Sequence, residues 1–237
     1  MPVRIGFDLD GVLADMDTSI AEVTGRLFGA GSAPVPRDDL DPERHPGEAA
    51  AEQAMASQTS PQPSRAREVW REIRETENFW ETLHETEPGV VARLAALADE
   101  RGWEVVFLTQ RPVTAGNTIQ RQSQQWLASL GFAHPSVCVV ERSRGKVADA
   151  LGLDLVVDDR SENCLDVVTD SKAKAVLIWR GDQPHVEPNA RRLGIEVARS
   201  TGVCLDRLAA GEWLPKTSGG LVGRLKRWLD PSSRPPE

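Results

Sequence analysis

Cysteine is scarce in this chain and poorly placed for structural chemistry. Cys138, Cys164 and Cys204 are an odd number, widely spaced, with no C-x-x-C pair and no histidine at ligand spacing. That suggests neither a disulfide framework nor a zinc site, and it points to a reducing compartment. The four histidines lie apart and Cys164 has no base beside it in sequence, so cysteine catalysis has no support. No Gly-Lys-Ser/Thr phosphate loop occurs, and the glycines of "GAGSAP" at 29–34 neither follow a strand nor open a helix, as a dinucleotide fingerprint must. Long apolar runs are missing: nothing approaches the roughly 20 apolar residues of a membrane span. The first apolar stretch carries Arg4 and Asp8, which does not suit a secretory signal. An excess of positive charge is missing too. With 28 Lys and Arg against 36 Asp and Glu, the formal net charge is -8, which argues against a general phosphate-neutralising surface. A small anionic substrate needs only one local cluster of cations. The expectation is a cytoplasmic chain with no stable membrane association and no long nucleic-acid partner, a homo-oligomer being left open.

The remaining composition is globular, 40% apolar and 27% charged over 237 residues, enough for a single domain carrying an insertion or for two small domains. "VRIGFDL" at 3–9 reads as a short strand, but the next comparable one, "WEVVFLTQ" from Trp103, comes only after a long interval. In between lie a helical piece from about Thr18 to Phe28, a loop rich in Pro, Gly and acids over 30–63, and a helical stretch from Ser64 to about Glu77. From Pro88 the pattern turns regular: helix "GVVARLAALADE", strand "WEVVFLT", helix Ala115 to Leu130, strand "SVCVV", helix Lys146 to Leu151, strand "LDLVVDD", helix from Glu162, strand "AKAVLIW". Such alternation predicts right-handed βαβ units and a parallel sheet covered on both faces. The expected architecture is α/β: a Rossmann-like core from 1–15 and 89–200, a helical cap inserted over 16–88, and a C-terminal helical extension and tail over 201–237. Within that tail, "GGLVGRLKRWLDP" reads either as a helix packed on the core or as an amphipathic membrane-surface segment.

Ligands of open parallel sheets bind at the carboxyl ends of the strands. This sequence sends Asp8 and Asp10 there after the first strand, Thr109 and Arg111 after the second, and Asp158 and Asp159 after "LDLVV", with Lys146 opening the preceding helix. Asp8 and Asp10, two apart on a period of two, share one side and repel each other unless a cation intervenes. Clustered acids without His or Cys suit Mg²⁺, and a nearby Lys with a Thr hydroxyl suggests a phosphate.

"DLDGV" at 8–12, a hydrophobic strand ending in Thr109, Lys146 and "VVDD" at 156–159 resemble, in order and spacing, the four motifs of the haloacid dehalogenase-like phosphatase superfamily. A closer likeness is to the 5'(3')-deoxyribonucleotidase family, through "DLDGVLAD" (8–15), "NFW" (78–80) with "PG" (88–89), "RGK" (144–146) and "DDR" (158–160). Two departures stand out: Met16 lies where that family tends to have a base-stacking Phe, and "TQRP" replaces its Thr-Ser-Pro after the second strand.

The resemblance implies a Mg²⁺-dependent phosphomonoester hydrolase working through an aspartyl phosphate. Asp8 is then the nucleophile and Asp10 the general acid and base, Thr109 and Lys146 bind the phosphoryl oxygens, and Asp8, the Asp10 carbonyl and Asp158 hold the metal, with Asp159 on metal-bound water or on Lys146. Arg111 and Arg144 either clamp a second anionic group of the substrate or are ordinary arginines beside an acidic site. Met16, Phe79 and Trp80 either line the substrate or form the insert's own core. A (deoxy)nucleoside monophosphate is the first expectation for substrate. A sugar phosphate or polynucleotide 3'-phosphate is the alternative, and from another class a nucleotide-binding protein of this fold without turnover.

Overall fold

The structure, a computed structural model, describes residues 2–35, 62–140 and 143–214. Its centre is a six-stranded parallel sheet: β1 (Arg4–Asp8), β2 (Glu104–Thr109), β3 (Ser136–Val139), β4 (Leu155–Asp158), β5 (Lys174–Ile178) and β6 (Ile195–Ala198), in spatial order β3-β2-β1-β4-β5-β6. β1 is therefore where the order reverses, with β2 on one side and β4 on the other. Its register, Phe7 opposite Phe107 and Val157, brings the three strand ends level.

Alternate residues of these strands feed two apolar clusters, one on each face. Ile5, Phe7, Phe107, Leu155, Val157 and Val176 belong to one; Leu108, Val156, Ala175 and Leu177 belong to the other. This is the pleat read out by the strands' near-continuous Val, Leu and Ile.

Eight α-helices are described: α1 (Met16–Phe28), α2 (Gln62–Glu75), α3 (Val90–Arg101), α4 (Ile119–Ser129), α5 (Arg144–Leu151), α6 (Ser161–Asp170), α7 (Val186–Arg192) and α8 (Thr201–Ala209), with a 3-10 turn at Phe79–Glu81. Asp15 caps α1 by accepting from the Thr18 N–H at 3.0 Å. α4 starts later than the predicted Ala115, because Gly116 sits at φ 95° and Thr118 supplies the cap. β6 and α7 were not anticipated, the strand "IEVA" being only four residues long.

The insert's two ends run side by side. The Asp15 N–H donates to the His84 carbonyl at 2.8 Å, and the Thr86 N–H to the Leu13 carbonyl at 2.8 Å. Ile20 and Val23 of α1 and Val69 and Ile73 of α2 bury into the same cluster as Ile5 and Phe7, so the described part of the insert shares the sheet's core. α8 also packs inward, burying Cys204, Leu205 and Leu208, and the Thr201 hydroxyl donates to the Val12 carbonyl at 2.5 Å. Among the described residues no helix is long and apolar enough to cross a membrane. The expected loop beyond residue 35 and the amphipathic segment at 219–230 lie outside the described residues.

Candidate active site

Three strand ends supply the first groups. Asp8 closes β1, Thr109 closes β2 and Asp158 closes β4, each buried. Arg144, the first residue of α5, is 4% exposed and points at both acids: its Nη2 lies 2.5 Å from Asp8 Oδ1 and its Nε 3.6 Å from Asp158 Oδ2. Asp158 is further held by the Arg160 N–H at 2.9 Å and by Asn163 Nδ2, 3.1 Å from each carboxylate oxygen.

Burial, more than any other effect, pushes the Asp8 carboxyl well above its ordinary range; the charge of Asp158 raises it further, Arg144 draws it back, and Asp159 and Asp10 add smaller repulsions. Asp158 is raised as well, chiefly by burial, against the pull of Arg144 and its two hydrogen-bond donors. Thr109 Oγ1 and Arg144 Nη1 are buried without a hydrogen-bond partner among the described residues. Buried polar groups are normally satisfied, and these two donors both lie at the carboxyl edge of the sheet.

Asp10 meets a second guanidinium. Arg111 Nε lies 3.1 and 2.9 Å from its two carboxylate oxygens and Nη2 lies 2.6 Å from Oδ1, while Nη1 donates to Ser123 Oγ at 3.1 Å. The Arg111 guanidinium carbon stands 5.0 Å from the centre of the Trp80 ring. Trp80 is itself anchored to the core, its Nε1 donating to the Pro112 carbonyl at 3.0 Å and its backbone N–H to Gln122 Oε1 at 3.0 Å.

The loop after β1 is fixed from behind. Gly11 takes φ 82°, which only glycine adopts freely, as the chain leaves the strand. The Gly11 carbonyl accepts from Arg180 Nη1, whose Nη2 reaches Glu87 at 3.4 Å and Thr201 Oγ1 at 3.3 Å. Glu87 in turn accepts the Thr201 and Gly202 N–H groups at 2.7 and 2.8 Å.

The structure brings Asp8, Asp10, Thr109, Arg111, Arg144 and Asp158 to this edge, with Asp159 half-buried close enough for its charge to act on Asp8. Lys146 lies apart from this group. It is exposed, and the cation presented to Asp8 is Arg144. Ser143 caps α5, so Arg144 begins the helix at the strand ends and Lys146, two residues on and about 200° around, turns outward. Gly145 holds that phase, since a Cβ there would lie 2.2 Å from the Asp166 carbonyl oxygen of α6.

Met16 and Phe79 are buried in the main cluster and so serve packing. Trp80, fully buried in the same cluster, reaches the site only through Arg111. Ser123, Asn163 and the Arg180 network were not foreseen. Asn163 had a signal, five residues beyond Asp158 in the first turn of a helix, whereas Ser123 and Arg180 had none.

The model of the family described as "5' nucleotidase, deoxy (Pyrimidine), cytosolic type C protein" matches residues 1–193. The chain belongs to that family. No curated protein matches it. Among solved structures the fold is similar to that of a haloacid dehalogenase-like hydrolase from Streptococcus pneumoniae (15% identity, TM-score 0.54, 89% of this chain and 99% of that one). It is also similar to a haloacid dehalogenase family hydrolase from Deinococcus radiodurans with bound phosphate and sodium (15%, 0.54, 90% and 97%) and to a hydrolase from Pseudomonas syringae (17%, 0.51, 89% and 99%). This nucleotidase-family chain thus has the haloacid dehalogenase-like fold and is a hydrolase of the phosphatase kind.

The donor set fits a hard divalent cation. Asp8 and Asp158 are buried carboxylates pushed toward protonation by burial and, at Asp8, by the other's charge, a condition that a cation relieves. Among the described residues no three His, Cys, Asp or Glu side chains converge. The fit is therefore to an ion that takes one or two carboxylates and completes its shell with carbonyl oxygen and water, as Mg²⁺ does.

Proposed function

We propose that the chain hydrolyses small phosphomonoesters through an aspartyl phosphate, with Mg²⁺ as cofactor and a nucleoside monophosphate as the first choice of substrate, in the cytoplasm. The carrying observation is the strand-end constellation: Asp8 and Asp158 buried around one guanidinium, beside a buried Thr109 hydroxyl with no partner among the described residues. The metal is to be held by Asp8, the Asp10 carbonyl and Asp158, and it supplies charge neutralisation that lets an anionic phosphate approach an anionic nucleophile.

The chain's own groups do the rest. Asp8 attacks phosphorus and the ester oxygen leaves. The Thr109 hydroxyl and Arg144 Nη1, buried without partners among the described residues, donate to the phosphoryl oxygens and stabilise the charge that develops there. Asp10, two residues on and 13% exposed in its side chain, gives a proton to the leaving oxygen and takes one from the water that hydrolyses the intermediate. Phosphomonoester hydrolysis is among the slowest uncatalysed reactions, needing acceleration up to about 10²¹, so these effects must act together. The insert over 16–88 is assigned the role of a cap that selects the leaving group.

Family membership supports the nucleotide preference, and the exposed Lys146 does not weaken it, since Arg144 carries the charge. The test is phosphate release from nucleoside 5'- and 3'-monophosphates, sugar phosphates and a 3'-phosphorylated oligonucleotide, with Mg²⁺ and with chelator. Metal-dependent turnover concentrated on the mononucleotides is expected, and Asp8→Asn abolishes it while the fold is kept. Turnover concentrated on another class replaces the substrate assignment. No turnover by folded protein on any of them, or activity surviving in Asp8→Asn, overturns the reading.

A further inference from the structure

We propose that Arg111 is a positioning residue for Asp10, fixing the carboxyl that serves the leaving oxygen and the attacking water, rather than a clamp for substrate. The inference rests on the phosphatase reading above and deepens it.

A substrate clamp needs free donors facing the opening. Arg111 has neither freedom nor exposure: its side chain is 0% exposed, and Nε, Nη1 and Nη2 all have protein partners. The guanidinium fork binds both oxygens of Asp10, the geometry in which arginine fixes a carboxylate's orientation as well as its place. Its other sides are closed by the Ser123 hydroxyl and the face of Trp80.

Asp10 needs such support. It follows Leu9 off the strand and precedes Gly11, whose positive φ turns the chain away; a bridge to Ala14 holds its backbone, and the orientation of its carboxylate rests on Arg111. In the first step an Asp8 oxygen bonds to phosphorus, the bond from phosphorus to the ester oxygen breaks, and the Asp10 proton moves to that oxygen. In the second, Asp10 takes a proton from water as the water oxygen bonds to phosphorus and the bond from phosphorus to Asp8 breaks. Both transfers need one carboxyl in one orientation.

The departure "TQRP" after the second strand thus gains a role, with Trp80 tying the insert to the same unit. Arg111 reaches Asp10 across 101 residues of sequence.

The experiment compares wild type, Arg111→Ala and Arg111→Lys, with Mg²⁺, on a nucleoside monophosphate and on p-nitrophenyl phosphate, whose leaving group departs without a proton. Single-turnover rates, with enzyme in excess, isolate the first step. Arg111→Ala is expected to lose about 10²-fold on the nucleotide but less than about threefold on the aryl phosphate. The substrate affinity read from the single-turnover concentration dependence should stay nearly constant for both, while steady-state kcat of both should fall because the second step still needs Asp10, with KM falling alongside on the aryl phosphate. Arg111→Lys, keeping charge without the fork, restores the nucleotide rate only in part. A raised KM with unchanged kcat makes Arg111 a substrate clamp, and equal first-step losses on both substrates make it a general support of the site; either overturns the proposal while the phosphatase reading stands. An inactive wild type overturns both. If Arg111→Ala does not fold, Ser123→Ala, which loosens Arg111 without unpairing Asp10, must give a smaller loss with the same split between substrates.

Discussion

Replacing Arg144 by methionine removes the guanidinium that faces Asp8 and Asp158 and leaves a side chain of similar bulk in its place. Both acids are buried, and Arg144 is the strongest influence lowering the carboxyl of each. Removing one partner of a buried ion pair costs about 3–5 kcal/mol. At about 2–4 °C per kcal/mol for a chain of this size, melting in chelator should fall by roughly 6–20 °C.

The loss also depends on pH. Burial holds both carboxyls above their unfolded values, and without Arg144 they rise further. Such a group contributes stability below its unfolded pKa of about 3.9 and loses it as pH rises through the folded value. The deficit of Arg144→Met against wild type is therefore larger at about pH 8 than at about pH 5.5. Calorimetry or circular-dichroism melting at the two pH values measures it. Arg144→Lys, retaining the charge, should lose less. A deficit below about 3 °C, or one equal at both pH values, refutes the view that Arg144 compensates these two acids.

Lys146→Ala should leave kcat and melting nearly unchanged, because Lys146 is exposed; a fall of about 10² in phosphate release would return it to the site. Thr109→Val removes a hydroxyl that has no hydrogen-bond partner among the described residues, so activity should drop by about 10²-fold with the melting temperature held or raised, and equal losses of both would contradict the assignment. Gly145→Ala places a carbon 2.2 Å from the Asp166 carbonyl oxygen. It should cost about 1–3 kcal/mol of overpacking in a denaturant titration and lower kcat by moving Arg144; unchanged kcat would show that the contact between α5 and α6 does not set Arg144.

The sheet was legible because β2, β4 and β5 are nearly continuous runs of Val, Leu and their like, the pattern of a doubly covered strand, and β1, Arg-Ile-Gly-Phe-Asp, is a short apolar run that stops at an acid. Asp8, Thr109 and Asp158 followed directly, since a strand's end is read from where its apolar run stops. Arg144 and Lys146 could not be separated this way. Both lie in the first helical turn, and which one faces the acids depends on the Ser143 cap and on Gly145 against α6. The partners of Arg111 were hidden for a related reason: Asp10 and Ser123 meet it only through tertiary folding. "NFW" stood out in sequence, but that Phe79 packs while Trp80 stacks on Arg111 rests on the turn at 78–81.

Residues 15 and 84, and 13 and 86, are bonded neighbours, so seen from the sheet the whole insert departs and returns through a single doorway. Closing a flexible excursion costs only about 0.6 kcal/mol more for each doubling of its length. The doorway fixes both ends of the excursion, and Ile20, Val23, Val69 and Ile73 tie its helices to the sheet's own core, so only stretches that bury nothing there are cheap to change. A lineage built on this plan can lengthen or shorten such stretches without shifting Asp8 on its strand, whereas a change at a buried residue such as Trp80 reaches the core. Substrate range and reaction then evolve as separable properties of one polypeptide.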